Sequence, residues 1–168
     1  TAYAAVKCAT QDFTRTTDEI VILGAGGIGL SVATICKAYG LIACCVDTPT
    51  VVENLSNEDF DLEFITTTEA ERLEGDGFPI VIVCSGAPLA FELAEVLLPK
   101  NGGDMFVVGN PPYGKKIGFD VKPLLYGRKI LGIGEKDISL PEDLYELVDQ
   151  VKCGRLEGKK LVRQRFSL

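Results

Sequence analysis

The chain has 168 residues, the size of one domain with room for a sizeable core. Its 46% hydrophobic and 24% charged residues are ordinary for a globular fold, and no apolar run approaches the ~20 residues of a membrane span. A net charge of −7 argues against nonspecific nucleic-acid binding, which rewards a basic surface.

In chain order, Thr1 to Ala9 reads as a helix, and Gln11 to Asp18 as a polar connection in which Asp12, Asp18 and neighbouring Glu19 are solvated charges. Glu19 to Leu23 is the first strand. Gly24-Ala25-Gly26-Gly27-Ile28-Gly29 follows it and opens an amphipathic helix, Ile28 to Tyr39, stopped by Gly40. Leu41 to Val46 is an unbroken apolar run, as expected of a strand covered on both faces, and Asp47 closes it. A short helix is expected over Thr50 to Leu55, a third strand over Leu62 to Thr66, and a helix over Thr68 to Leu73 ending in the turn Gly75-Asp76-Gly77. Ile80 to Ser85 is the fourth strand. Pro88 then leads into a helix over Leu89 to Leu98. Asp104 to Val108 is the fifth strand, Val121 to Tyr126 a helical piece and Lys129 to Ile133 the sixth strand. Pro141 to Cys153 is a helix with Leu144, Leu147, Val148 and Val151 on one face, ended by Gly154. Lys159, Lys160, Arg163 and Arg165 form a basic, solvated tail.

Strand and helix thus alternate. That predicts one α/β domain over residues 1–168, with a doubly wound six-stranded parallel sheet of order 3-2-1-4-5-6 and helices on both faces. The glycine turn carries the functional signal, because each part has a physical task. Gly24 permits a tight turn out of the strand, Gly26 lets backbone approach a pyrophosphate, and Gly29 lets the helix pack close to the strand. The helix N-terminus offers unpaired N–H groups to phosphate. Asp47 lies 18 residues past Gly29, near the spacing of ~20 at which an acid accepts hydrogen bonds from the adenosine ribose. In such sheets the ligand lies outside the carboxyl ends of the strands. That rule adds Ser85-Gly86, Val108-Gly109-Asn110 and Ile133-Gly134-Glu135, with the alternative that Gly86, Gly109 and Gly134 are merely turn glycines.

There are six cysteines and no histidine, so a histidine-containing zinc site within the chain is excluded. No two cysteines form a CxxC pair. Most of them read as small buried residues, and free thiols suggest a reducing, cytoplasmic setting.

Several segments together resemble the coenzyme-binding domain of the medium-chain dehydrogenase/reductases, the zinc alcohol dehydrogenase superfamily. They are Thr1-Ala2-Tyr3, Ile20 to Gly29, Val81 to Pro88 (VIVCSGAP), Gly102 to Pro112 (GGDMFVVGNPP) and Tyr126 to Gly132 (YGRKILG). The resemblance implies a Rossmann-type domain and hydride transfer between nicotinamide and an alcohol or carbonyl substrate. By the same resemblance Gly26, Gly27 and Ile28 lie under the pyrophosphate and nicotinamide, and Ser85 and Gly86 border the nicotinamide ribose. Val108, Gly109 and Ile133 border the carboxamide. It also implies a homodimer through the sixth strand. In the family a β-rich domain, absent from this sequence, supplies most catalytic groups, and in zinc members the metal ligands. The chain alone is therefore expected to be inactive, with no catalytic residue and no metal ligand of its own.

Asp47 favours NAD over NADP, since a carboxylate there repels a 2′-phosphate and Thr48-Pro49-Thr50 brings no arginine to offset it. Two other readings stay open. One is a non-catalytic NAD-binding sensor or subunit. The other is an S-adenosylmethionine-dependent methyltransferase, whose usual glycine spacing GxGxG is not met here, Ile28 standing where its third glycine would be.

Overall fold

The computed structural model describes residues 1–11, 19–58, 60–73 and 77–162. The connection at 12–18, Gly75-Asp76 of the predicted turn, and Arg163 and Arg165 of the tail lie outside the described residues. Six parallel strands form one sheet in the order β3-β2-β1-β4-β5-β6. They are β1 (Ile20–Leu23), β2 (Ala43–Asp47), β3 (Glu63–Thr66), β4 (Ile80–Val83), β5 (Asp104–Val107) and β6 (Lys129–Gly132). The helices are α1 (Ala2–Ala9), α2 (Gly27–Ala38), α3 (Pro49–Ser56), α4 (Thr67–Ala70), α5 (Pro88–Leu97), α6 (Lys122–Leu125) and α7 (Glu142–Lys152). The order and every expected element agree with the sequence reading, the ends shifting by one to three residues.

The period-2 geometry of the strands divides the core in two. Ile20, Ile22, Cys45, Ile80, Ile82 and Phe106 face α1 and α2, together with Leu55 of α3. Val21, Leu23, Val46, Val81, Val83 and Met105 face α5, with Ala70 of α4. Helices therefore cover both faces, as a parallel sheet requires. Local signals set the ends. Pro49 and Pro88 sit in the first turns of α3 and α5. Thr66 and Glu69 make a reciprocal capping box on α4. Gly40 after α2 and Gly154 after α7 have φ of +70° and +72°, the left-handed region that glycine enters without penalty.

One sequence expectation is corrected. Strand β2 is not fully covered: Cys45 and Val46 are buried, whereas Ala43 and Cys44 are partly exposed because only short β3 lies beyond them. The apolar face of α7 exists, but only Leu147 packs on the α1–α2 side, and Leu144 and Val151 stay 51% and 52% exposed. Polar contacts hold α7 instead. Tyr3 and Tyr39 both donate to the Glu146 carboxylate, and Lys7 pairs with buried Asp143 at 2.7 Å. At the other flank Arg128, 6% exposed, donates to the Pro99 carbonyl at 2.8 Å and ties the entry of β6 to the end of α5.

Candidate functional site at the carboxyl ends of the strands

Strand register creates the site. Leu23 pairs with Val46 and with Val83, Val83 with Val107, and Val107 with Gly132. The next residues of these strands therefore stand level on one rim: Gly24, Asp47, Cys84, Val108 and Ile133. Ser85, Gly86 and Gly109 continue from it. The glycine turn, Asp47, Ser85, Gly86, Val108, Gly109 and Ile133 thus belong to one edge of the sheet, on both sides of the switch point between β1 and β4.

The turn itself is built from backbone. The Gly24 N–H donates to the Val46 carbonyl at 2.8 Å, and Gly24 has φ +102°. A Cβ on Gly29 would lie 1.7 Å from the Gly24 carbonyl oxygen, so the helix can start this close to the turn only with glycine there. Cβ atoms on Gly26 or Gly27 would meet nothing within 4 Å. Both residues are exposed, and Ile28 beside them is 44% exposed. Gly26 caps α2 without any side-chain hydrogen bond, so the first amides of the helix lack a side-chain acceptor. The turn thus presents open space in front of a helix N-terminus, a place where an anion is favoured.

Asp47 stands beside it. Its Oδ2 accepts the Ala25 N–H and its Oδ1 the Thr48 N–H, each at 2.7 Å. A carboxylate has about four acceptor positions, so two remain for other donors. Alongside runs a crevice of about 580 Å³ lined by Gly24, Asp47, Thr48, Ser85, Leu89 and Leu93 among others. Its lining also includes Glu71 and Glu92 and contains no lysine or arginine among the described residues. No motif announces Glu71 and Glu92; they reach the crevice through the placement of α4 and α5. A hollow of about 610 Å³ near Glu19, Phe78 and Asn101 lies away from the rim, at the opposite ends of the strands.

Beyond the switch point, the glycines have a packing role. Cβ atoms would fall 2.4 Å from the Asn110 carbonyl oxygen at Gly86 and 2.2 Å from the Ser85 carbonyl oxygen at Gly109. The exits of β4 and β5 therefore touch backbone to backbone, which settles why both are glycine without a left-handed φ. Gly134 has no such neighbour. Val108 and Gly109 both donate to the Val83 carbonyl, and Ile133 donates to Val107, so these amides belong to the sheet. The Ser85 hydroxyl accepts the Ala87 N–H at 3.2 Å, in the local-turn role expected of it. Burial pushes the Cys84 thiol up to about 12, so it is a neutral packing group at the floor of the rim rather than a nucleophile. All six cysteines are free. Among the described residues no three His, Cys, Asp or Glu side chains are placed to hold a metal ion, and no helix is long and apolar enough to cross a membrane.

No family model and no curated protein matches the chain. Solved structures do. Benzyl alcohol dehydrogenase from Acinetobacter calcoaceticus superposes with a TM-score of 0.76 at 23% identity, over 95% of this chain and 46% of that one. An alcohol dehydrogenase zinc-binding domain protein from Burkholderia ambifaria gives 0.75 at 24% identity, over 95% and 45%. A zinc-binding-dehydrogenase-like protein from Sinorhizobium meliloti 1021, bound to NADP, gives 0.70 at 20% identity, over 92% and 48%. The chain spans about half the length of these structures. What they share with it is the fold: a Rossmann-type α/β domain as found in alcohol dehydrogenase-like proteins.

Proposed function

We propose that the chain is the NAD(H)-binding domain of an alcohol dehydrogenase-like oxidoreductase, acting in hydride transfer between nicotinamide and an alcohol or carbonyl substrate. The observation that carries this reading is the pairing of open backbone at Gly26 and Gly27 with the Asp47 carboxylate across the same turn. The residues present fit a dinucleotide. The turn leaves room for a pyrophosphate and supplies amides and a helix dipole to it. Asp47 keeps acceptor capacity for ribose hydroxyls, and the mostly apolar crevice suits an adenine. Val108, Gly109 and Ile133 form a wall against which one nicotinamide face is shielded. When bound, the nicotinamide supplies the hydride acceptor or donor; the chain binds it, orients it and excludes water. Substrate activation falls to groups outside the described residues, including any catalytic zinc. The compartment we assign is the cytoplasm, on the grounds of the free thiols.

NAD is favoured over NADP because Asp47, Glu71 and Glu92 all line the crevice with no lysine or arginine beside them among the described residues. Repulsion between a carboxylate and a 2′-phosphate a few ångströms apart costs ~1–4 kcal/mol, about fivefold or more in affinity. Calorimetry with NADH and NADPH on the full chain, beside Asp47→Ala, tests this. NADH is expected to bind at least about fivefold more tightly than NADPH, and the variant to bind NADH more weakly. Failure of NADH to bind wild type refutes the reading.

We also propose a homodimer through β6, an edge strand with an unpaired side. Lys129 and Ile133 donate inward to Gly103 and Val107, so the alternate amide of Ile130 points to the free edge. Ile130→Pro removes that outward donor and spares the inner ladder, whereas proline at Ile133 would break the sheet itself. Light scattering is expected to give a dimer for wild type and a monomer for Ile130→Pro; equal masses rule out this interface.

A further inference from the structure

We infer that Asp47 is a positioning residue for the glycine turn, holding it in the shape that receives a pyrophosphate before any ribose arrives. For its ligand this rests on the dinucleotide reading above; its geometry stands independently. The carboxylate joins two backbone segments, taking the Ala25 N–H on Oδ2 and the Thr48 N–H on Oδ1, both at 2.7 Å. Ala25 is 3% exposed and lies between Gly24, at φ +102°, and Gly26, the cap of α2. Its N–H precedes the helix, so no helical carbonyl can accept it, and a buried amide left unpaired is costly.

The segment before the helix has few ties of its own. Gly27, Ile28 and Gly29 already belong to α2, and Gly24-Ala25-Gly26 ahead of it includes two glycines, whose backbone has the widest choice of conformations. Only the Gly24 N–H to Val46 bond and the Ala25 N–H to Asp47 bond tie the turn to β2 among the described contacts. The second of these comes from a side chain, so it is the one that a substitution deletes. An acid at the end of β2 therefore has two tasks at once. Replacing Asp47 with a small residue to admit a 2′-phosphate therefore also removes the bond that holds the Ala25 N–H.

The test separates the two tasks. Amide exchange of Ala25, followed by NMR on the unliganded full chain, is expected to run at least about tenfold faster in Asp47→Ala, the scale of one lost hydrogen bond to a charged group. Asp47→Asn, whose side-chain carbonyl can still accept from Ala25, is expected to restore most of the protection. Binding of 2′,3′-dideoxyadenosine diphosphate, which has no ribose hydroxyls, is expected to weaken about tenfold in Asp47→Ala and to recover in Asp47→Asn. Unchanged Ala25 exchange in Asp47→Ala overturns the inference, as does equal affinity of wild type and Asp47→Ala for the dideoxy nucleotide. If neither ADP nor its dideoxy analogue binds any variant, the dinucleotide reading fails, and Ala25 exchange alone still decides the role of Asp47 in the turn.

Discussion

The centre of the sheet and its periphery, β6 at one edge and α7 against α1 and the end of α2, are held by different forces. Strands β1 and β4 are buried along their whole length, and α2 and α5 pack apolar faces onto them. Their attachment is hydrophobic, non-directional and proportional to area. Strand β6 is largely exposed, and α7 turns much of its apolar stripe to the surface. Its attachment is a handful of directional contacts: Tyr3 and Tyr39 to Glu146, Lys7 to Asp143, and the Ser139 N–H to Asp143 at 2.8 Å. An amphipathic pattern alone therefore predicts a helix without predicting which of its faces the domain will cover. The glycine turn leaves β1 at this buried centre, as a site that must hold its shape requires.

The largest effect that sharpens this contrast is at the centre. Ile82→Ala in β4 removes a fully buried side chain and is expected to cost about 3 kcal/mol in urea denaturation. A loss below about 1 kcal/mol would show the centre to be looser than its burial implies.

An intermediate effect comes from the polar clasp and depends on pH. Burial, and then the hydrogen bond to Glu146, push the Tyr39 hydroxyl up to about 12, and Tyr3 is raised by the same causes. A group whose folded value is raised contributes fully below its unfolded value, about 10, and its contribution is lost as pH rises through the folded value. The melting temperature is thus expected to fall between pH ~10 and about 12, and this fall to shrink in Glu146→Gln. An identical fall in the variant would refute the clasp. Asp143 works in the opposite sense. Its hydrogen bond with Lys7, and then the Ser139 N–H, hold it below the usual carboxylate range. Its contribution is present above about pH 4 and is lost as pH falls below that.

The smallest effect is at the surface of α7. Leu144→Ala changes a half-exposed side chain and is expected to shift stability by no more than about 0.5 kcal/mol. A loss of 2 kcal/mol or more would mean that a second copy covers this face in solution.

The six strands, their order and the helix starts were legible because each rests on local chemistry. Apolar runs, proline at helix starts, and glycine at Gly40 and Gly154 mark them within a few residues. The glycine turn and Asp47 were legible for the same reason, since spacing along one βαβ unit controls where they meet. Glu71 and Glu92 were not, because their approach to the crevice is decided by how far α4 and α5 lean toward the rim. The backbone contacts at Gly86 and Gly109 could be suspected from composition, but not distinguished from a loose turn. For α7, periodicity marks the apolar face, and only the position of Glu146 against two tyrosines more than a hundred residues away decides which side turns inward.

The sequence by itself determined the fold class and the kind of site, because periodicity, turn chemistry and the glycine spacing are short-range properties of the chain. Tertiary structure alone decided the register that sets Gly24, Asp47, Val108 and Ile133 on one rim, the acidic lining of the crevice, and the bond from Ala25 to Asp47. These depend on the mutual placement of segments far apart in sequence, which packing of the two cores against the sheet imposes and no local pattern encodes.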